Sequence, residues 1–198
     1  MIPLNAYKHG PVADKCCRRC GNGSDGRQET LPHHLNHCMR YSSTYKARHN
    51  AIVERLKNAA RGRWSVLRED QRVGSGDLRP DLVLQKGNEI LIIDVTVPIE
   101  NEYIAFDRAR QSKEEKYTDI ARELSVDGKK AKVEAVSVGS LGSWDPKNDR
   151  VIKRLFSEGY ANLMRKIVVS ETITHSSNIY YEHISGTPHE PIYNRVNI

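Results

Sequence analysis

The sequence predicts an α/β domain with a mixed central sheet flanked by helices, and a small metal-binding module ahead of it. Three observations carry that expectation. Residues 79–97 contain two apolar, β-rich runs joined by a Lys-Gly-Asn turn. The segments on either side repeat apolar residues at helical spacings of three and four. All four cysteines lie before residue 39, a clustering that points to metal binding in a reducing compartment rather than to disulfides.

A chain of 198 residues accommodates one sizeable domain plus a small module. Its 38% hydrophobic and 28% charged residues are those of an ordinary globular protein. No stretch approaches the ~20 apolar residues of a membrane span, and Met1–Gly10 lacks the apolar core of a signal peptide. A soluble intracellular protein with no membrane partner is therefore expected. The formal net charge of +6 is uneven: residues 1–61 hold 11 Lys+Arg against 4 Asp+Glu, the remainder 20 against 21. The excess positive charge sits where a phosphate-binding face would need it, although a solvated basic surface has the same composition.

In chain order, the first element is CCRRCGNGSDGRQETLPHHLNHC. Cys17, Cys20, His33 and Cys38 read as C-x2-C-x12-H-x4-C, a ligand set for tetrahedral Zn²⁺. The GNGSDG loop has too few apolar residues to hold itself together, so the ion would supply the folding energy. Cys16 can replace Cys17, His34 can replace His33, and His37 with His33 gives a finger-like spacing. The module is expected over residues 1–41 and the larger domain over 42–198. Ser42 or Ser43 would cap a helix running to Arg61 with Gly62 as its stop. Tyr45, His49, Ile52, Leu56 and Ala59 form its apolar stripe, His49 reading as a core histidine first and a site residue second. Arg48, Arg55, Lys57 and Arg61 lie off the stripe and are the candidate nucleic-acid contacts. Glu54 reads equally as a ligand or as a surface partner of Lys57. Trp64–Leu67 look like a short strand, followed by Glu69, which could reach a cation from a neighbouring strand.

The central hairpin has strands at 82–84 and 90–97. Asp81 opens the first and Asp94 interrupts the second, thirteen positions on, where antiparallel pairing can bring them together. A carboxylate inside ILIIDVTV is costly unless it is paired or holds a cation. Two converging carboxylates suit Mg²⁺. The competing reading makes Asp81 a turn cap and Asp94 the partner of a buried arginine. A long helix is expected from Asn101 to Leu124, with Tyr103, Phe106, Tyr117, Ile120 and Leu124 inward. Lys113 falls near the centre of that face and needs an anion to meet, whereas Lys116 lies towards its edge, where a lysine can snorkel. A strand at 132–138 follows, then a helix opened by Asp145-Pro146 and ending at Gly159, and a last helix from Tyr160. The polar, tyrosine-rich tail from Ser176 is expected to be partly loose.

Arg79-Pro80-Asp81, then Asp94, then Lys113 with Tyr117, resembles the PD-(D/E)-x-K nuclease superfamily. The Cys/His cluster and Ala47-Arg48-His49-Asn50 narrow the resemblance to the C-terminal end of polyproteins of site-specific non-LTR retrotransposons, over about Cys17–Leu155. There a CCHC zinc knuckle precedes a restriction-like endonuclease. The resemblance implies a restriction-endonuclease-like core and a nuclear, Mg²⁺-dependent endonuclease. Such an enzyme nicks double-stranded DNA, and the 3′ hydroxyl then primes reverse transcription of the element RNA. It implies Asp81, Asp94 and Lys113 as catalytic, with Tyr117, Lys116 and Glu69 in support. Thr96 stands where the superfamily's usual lysine would be, so Lys113 must serve from the helix. The loop ahead of His33 is longer than the family's usual one. The resemblance covers no polymerase portion, so a piece of a polyprotein, or a truncated or domesticated copy, is expected. The alternative is a non-catalytic, zinc-dependent nucleic-acid-binding module.

Overall fold

The computed structural model describes Leu4 and residues 15–20, 28–100 and 102–188, the side chains of 102 and 103 excepted. The GNGSDG loop, Asn101, the Tyr103 side chain and the chain from residue 189 onward lie outside the described residues. Two compact units divide the chain: residues 49–172, and residues 1–48 with 173–198.

In the first unit the apolar hairpin forms as its sequence demands. Strands β2 (Leu82–Lys86) and β3 (Glu89–Thr96) pair antiparallel, Leu82 with Ile93 through Lys86 with Glu89. The two-residue turn needs Gly87, whose φ of +56° a side chain would resist. Strand β1 (Ser65–Glu69) adds antiparallel to β2, and β4 (Lys130–Ser137) adds parallel to β3, giving a mixed four-stranded sheet in the order β1-β2-β3-β4. A parallel neighbour requires a crossover, supplied by α2 (Glu102–Lys116) and α3 (Thr118–Leu124). Strand alternation then builds two cores. Leu82, Leu84, Leu91, Ile93 and Val95 pack with Ile52, Val53 and Leu56 of α1 (Ser42–Ala60). Val151, Ile152 and Leu155 of α4 (Asn148–Leu155), and Met164 and Val168 of α5 (Glu158–Ser185), complete this core. Val83, Ile90 and Ile92 pack with Tyr117 and Ile120 on the other face. Burial on both faces is why β3 reads as a continuous apolar run.

Several boundaries differ from expectation: α4 starts at Asn148 with Lys147 at its cap and stops at Leu155, and Gly159 already lies inside α5. The chain enters α1 directly from a 3₁₀ turn at Met39–Tyr41, so Ser42 is already helical (φ −56°, ψ −37°) and is no cap. The long crossover helix breaks at Tyr117, whose backbone leaves the helical range (φ −107°, ψ 9°). Thr118 Oγ1 donates back to the Glu114 carbonyl there (2.8 Å), a bond that bends helices. The segment from Ser176 is not loose: α5 continues to Ser185, with Ile179 and His183 buried.

Glu134 on β4 is fully buried and meets Lys132 (2.6 Å), Arg150 (3.0 Å) and Arg154 (3.2 Å). Burial alone would raise its pKa, but the three cations outweigh burial and hold the carboxyl below its usual 4.5. A depressed folded-state pKa contributes stability that is present above about pH 4.5 and lost as pH falls through the folded value. Glu134→Gln is therefore expected to lower the melting temperature at neutral pH, with the gap closing on acidification. Thermal melts of both proteins at a series of pH values check it; a gap independent of pH would contradict the assignment.

In the second unit Cys16 forms an isolated antiparallel bridge with Gln28. A π-helical turn at His33–His37 follows, and Cys17, Cys38 and Tyr41 make a small buried cluster.

Candidate active site and metal centre

Continuing the β2–β3 register one step beyond Leu82–Ile93 sets Asp81 opposite Asp94. By alternation Asp94 shares the face of Ile90 and Ile92, the face covered by Tyr117. Lys113, in the last turn of α2, brings Nζ to 2.6 Å from Asp94 Oδ2. Asp94 is almost wholly buried, and Oδ2 has no aligned hydrogen bond, so the lysine meets it as a charge only. The anion that the lysine's inward position demanded is thus Asp94, and the buried arginine of the competing reading is instead this lysine.

Asp81 uses Oδ2 to accept the Val95 N–H at 2.6 Å, which caps the β3 ladder just before β2 begins. His49 brings Nε2 to 3.1 Å from the same oxygen and 3.2 Å from the Val95 carbonyl. Burial disfavours a charged His49, but Asp81 outweighs it and the pKa is raised. Tyr117 is fully buried and donates its hydroxyl to the Arg79 carbonyl (3.0 Å), fixing the turn ahead of Asp81. Burial first, then Asp94 and Asp81, push its pKa well up, so the phenol stays a donor. The sequence put His49 on an apolar stripe; its contact with Asp81 depends on a non-local pairing that helical periodicity does not encode.

The other expected residues are placed elsewhere. Lys116 is exposed, its Nζ 4.7 Å from the Tyr117 ring centroid. Glu69 pairs with Lys57 (2.8 Å), and its register opposite Leu82 puts it on the α1 side of the sheet, away from Asp94. The basic helix is largely engaged internally. Arg48 is buried and donates to the Leu35 carbonyl, Asn36 Oδ1 and Ser176 Oγ. Arg55 forks onto Glu171 (3.0 and 3.1 Å), and Lys57 lies between Glu54 and Glu69. Of the four expected phosphate contacts, Arg61 is the one whose side chain has no hydrogen bond or ion pair among the described residues; the long cationic stems of the others serve as intramolecular braces.

The donor atoms of Cys17, Cys20, His33 and Cys38 all lie within 4.8 Å of one another and could hold a metal ion such as zinc. Cys17 Sγ is 3.9 Å from Cys38 Sγ, and Cys20 Sγ is 3.5 Å from His33 Nε2. The π turn places His33 inward, its carbonyl accepting the Cys38 N–H at 2.7 Å. Burial pushes the Cys38 thiol up to about 12, so a bound cation would be needed to keep it as a thiolate at neutral pH. Of the alternatives, Cys16, His34 and His37 are not in this donor group; the His34 ring lies tilted against Tyr180 and His183, with centroids at 5.1 and 4.7 Å. A second donor group, Cys17, Glu29 and His183, also lies within 4.8 Å; His183 comes from the segment expected to be loose.

Among the described residues no helix is long and apolar enough to cross a membrane. No family model matches the chain. It is 26% identical over 168 residues to the retrovirus-related Pol polyprotein from the type-2 retrotransposable element R2DM of Drosophila melanogaster, covering 81% of this chain. It is 24% identical over 186 residues, 88% of the chain, to the corresponding polyprotein from the type-1 retrotransposable element R2 of Popillia japonica. Against that of Nasonia vitripennis it is 28% identical over 130 residues, 62% of the chain. The matched regions span only 15%, 37% and 13% of those proteins. The chain is thus similar, at low identity, to one stretch of much longer Pol polyproteins of R2 retrotransposable elements.

Proposed function

We propose that the chain is a divalent-metal-dependent endonuclease of PD-(D/E)-x-K type, with a restriction-endonuclease-like core. It nicks double-stranded DNA to prime reverse transcription by a non-LTR retrotransposon. The ion pair of Lys113 with the buried Asp94 (2.6 Å), with Asp81 one residue ahead of β2 in the same hairpin, carries this reading. The similarity to retrotransposon Pol polyproteins supports it. Asp81 and Asp94 would hold Mg²⁺; the buried Asp94 Oδ2 without an aligned hydrogen bond is the donor chemistry such an ion fits. Bound there, the ion would polarise a phosphate oxygen and lower the pKa of a water. The chain's own residues do the rest. Lys113 supplies positive charge beside the phosphate and can exchange its partner from Asp94 to a phosphate oxygen, since its side chain is 29% exposed. Val95 N–H and His49 hold Asp81 by one oxygen. Tyr117 anchors the Arg79 turn that carries Asp81.

Cys17, Cys20, His33 and Cys38 are the structural Zn²⁺ site in this reading, and the element RNA and the rest of a polyprotein are the partners, in the nucleus. Purified protein is expected to convert supercoiled plasmid to open circles with Mg²⁺ and to leave it intact with EDTA. Plasmid unchanged under Mg²⁺ or Mn²⁺ would reject the reading. A purely binding module built on the basic helix is less well supported, because Arg48 is buried and Arg55 and Lys57 are paired with Glu171 and Glu69.

A further inference from the structure

We propose that the metal centre extends beyond its four ligands to the last turn of α5, where His183 is a positioning residue that donates Nε2–H to the Cys17 thiolate. The two residues are far apart in sequence, yet His183 is fully buried with Nε2 at 3.9 Å from Cys17 Sγ. The tautomer follows from its other neighbour. Glu29 Oε2 lies 3.3 Å from the same nitrogen. Glu29 is itself buried and held by Arg18, through Nε at 2.9 Å, NH2 at 2.7 Å and the backbone N–H at 2.7 Å. A carboxylate whose oxygens already take the Arg18 guanidinium and backbone N–H serves as an acceptor, so the ring nitrogen that faces it carries the hydrogen. Nδ1 is buried without a hydrogen-bond partner, which leaves no competing donor role for the ring. The single N–H is therefore shared between two acceptors, Glu29 Oε2 at 3.3 Å and Cys17 Sγ at 3.9 Å.

Neighbouring residues hold this turn in the same place. Arg19, between Cys17 and Cys20, donates Nε to the His183 carbonyl (2.6 Å) and NH2 to the Ile184 carbonyl (3.0 Å). It thus caps carbonyls that the end of a helix leaves unsatisfied. The His183 ring lies against His34 (4.7 Å) and Tyr41 (5.5 Å). The two-cysteine turn, the His33 turn and the end of α5 are thus one packed unit. A hydrogen bond to a ligating thiolate spreads its charge and fixes its orientation, as outer-shell partners of metal ligands do. Linkage requires the converse: metal loading orders the last turn of α5.

The inference rests on the four-residue set binding a divalent ion. The full-length chain is loaded with Zn²⁺ for chelator competition and with Co²⁺ for absorption. His183→Ala is expected to weaken Zn²⁺ binding about 10- to 100-fold and to shift the thiolate-to-Co²⁺ charge-transfer band. His183→Gln, which keeps an N–H donor, should recover most of the affinity. Equal affinity and an unchanged Co²⁺ spectrum in His183→Ala would overturn the proposal, even if that variant melts earlier. Should His183→Ala fail to fold, hydrogen exchange on the wild-type chain decides. Chelation is expected to remove protection from residues 180–185, and unaltered protection overturns the proposal. Wild-type protein that binds neither ion would instead refute the four-ligand reading beneath it.

Discussion

Asp94→Ala is expected to lower Mg²⁺-dependent nicking by about 10³-fold or more while leaving the melting temperature unchanged or higher. Both halves follow from burial. Asp94 sits inside a strand whose neighbours are apolar, with Lys113 as its described ion-pair partner and the Tyr117 hydroxyl beside it. Taking a carboxylate out of water costs several kcal/mol, and one unaligned ion pair returns only part of that. Removing Asp94 relieves the cost. The lysine left behind is 29% exposed and can turn its ammonium to solvent. The reverse substitution differs: Lys113→Ala strands a buried carboxylate and should destabilise by about 3 kcal/mol. Nicking assays and thermal melts on both variants check the pair. Undiminished nicking by Asp94→Ala would remove the proposed site, and a loss of stability matching that of Lys113→Ala would make Asp94 a packing residue. Asp94→Asn, which keeps the shape and drops the charge, should behave as the alanine does in nicking.

The hairpin was legible because its signals are local: alternating cores, a glycine at the turn, and two acids whose spacing the register alone decides. The inward position of Lys113 was legible for the same reason, since helical periodicity fixes direction. The four clustered ligands also follow from spacing, because two cysteines in one turn and a His-to-Cys step through another leave little freedom. What sequence did not disclose depends on distant partners. Arg48 and Arg55 look the same as phosphate-binding cations until Ser176 and Glu171 appear beside them. His183 lies in a polar, tyrosine-rich stretch whose composition suggests disorder. Its helix is stabilised by one buried stripe, Thr172, Ser176, Ile179 and His183, that is mostly polar and so invisible to a hydrophobic pattern. The break at Tyr117 was missed because Thr118 differs little in helix propensity from its neighbours, and only its back-bond to Glu114 marks the bend.

Arg110→Ala is expected to be the most destabilising single change in the unit of residues 49–172. Arg110 is buried in α2, one turn before Lys113, and its sequence position gives no hint of this. One arm donates to the Ala135 carbonyl on β4; the other reaches Asp145 Oδ2 (2.6 Å) and Asn148 Oδ1 (2.9 Å). Asn148 in turn accepts from the Ser137 N–H (2.9 Å) and donates to the Ser137 carbonyl (2.7 Å). The guanidinium therefore joins α2, the end of β4 and the start of α4. Alanine would leave the buried Asp145 with the Lys147 N–H (2.9 Å) as its remaining contact in this network. Stranding a buried charge costs about 3–5 kcal/mol, a fall in Tm of roughly 10 °C for a chain of this size. Arg110→Lys should recover little, because one ammonium cannot serve three acceptors in the plane of a fork. Arg110→Met with Asp145→Leu should recover most of the loss, since the unpaired charge is gone from both sides. Chemical denaturation of the three variants measures this. A single alanine variant within about 1 kcal/mol of the wild type would mean that water reaches Asp145. The same lever reaches the candidate site: with α2 unpinned, Lys113 loses its fixed approach to Asp94, so nicking by Arg110→Ala should fall even at temperatures well below its melt.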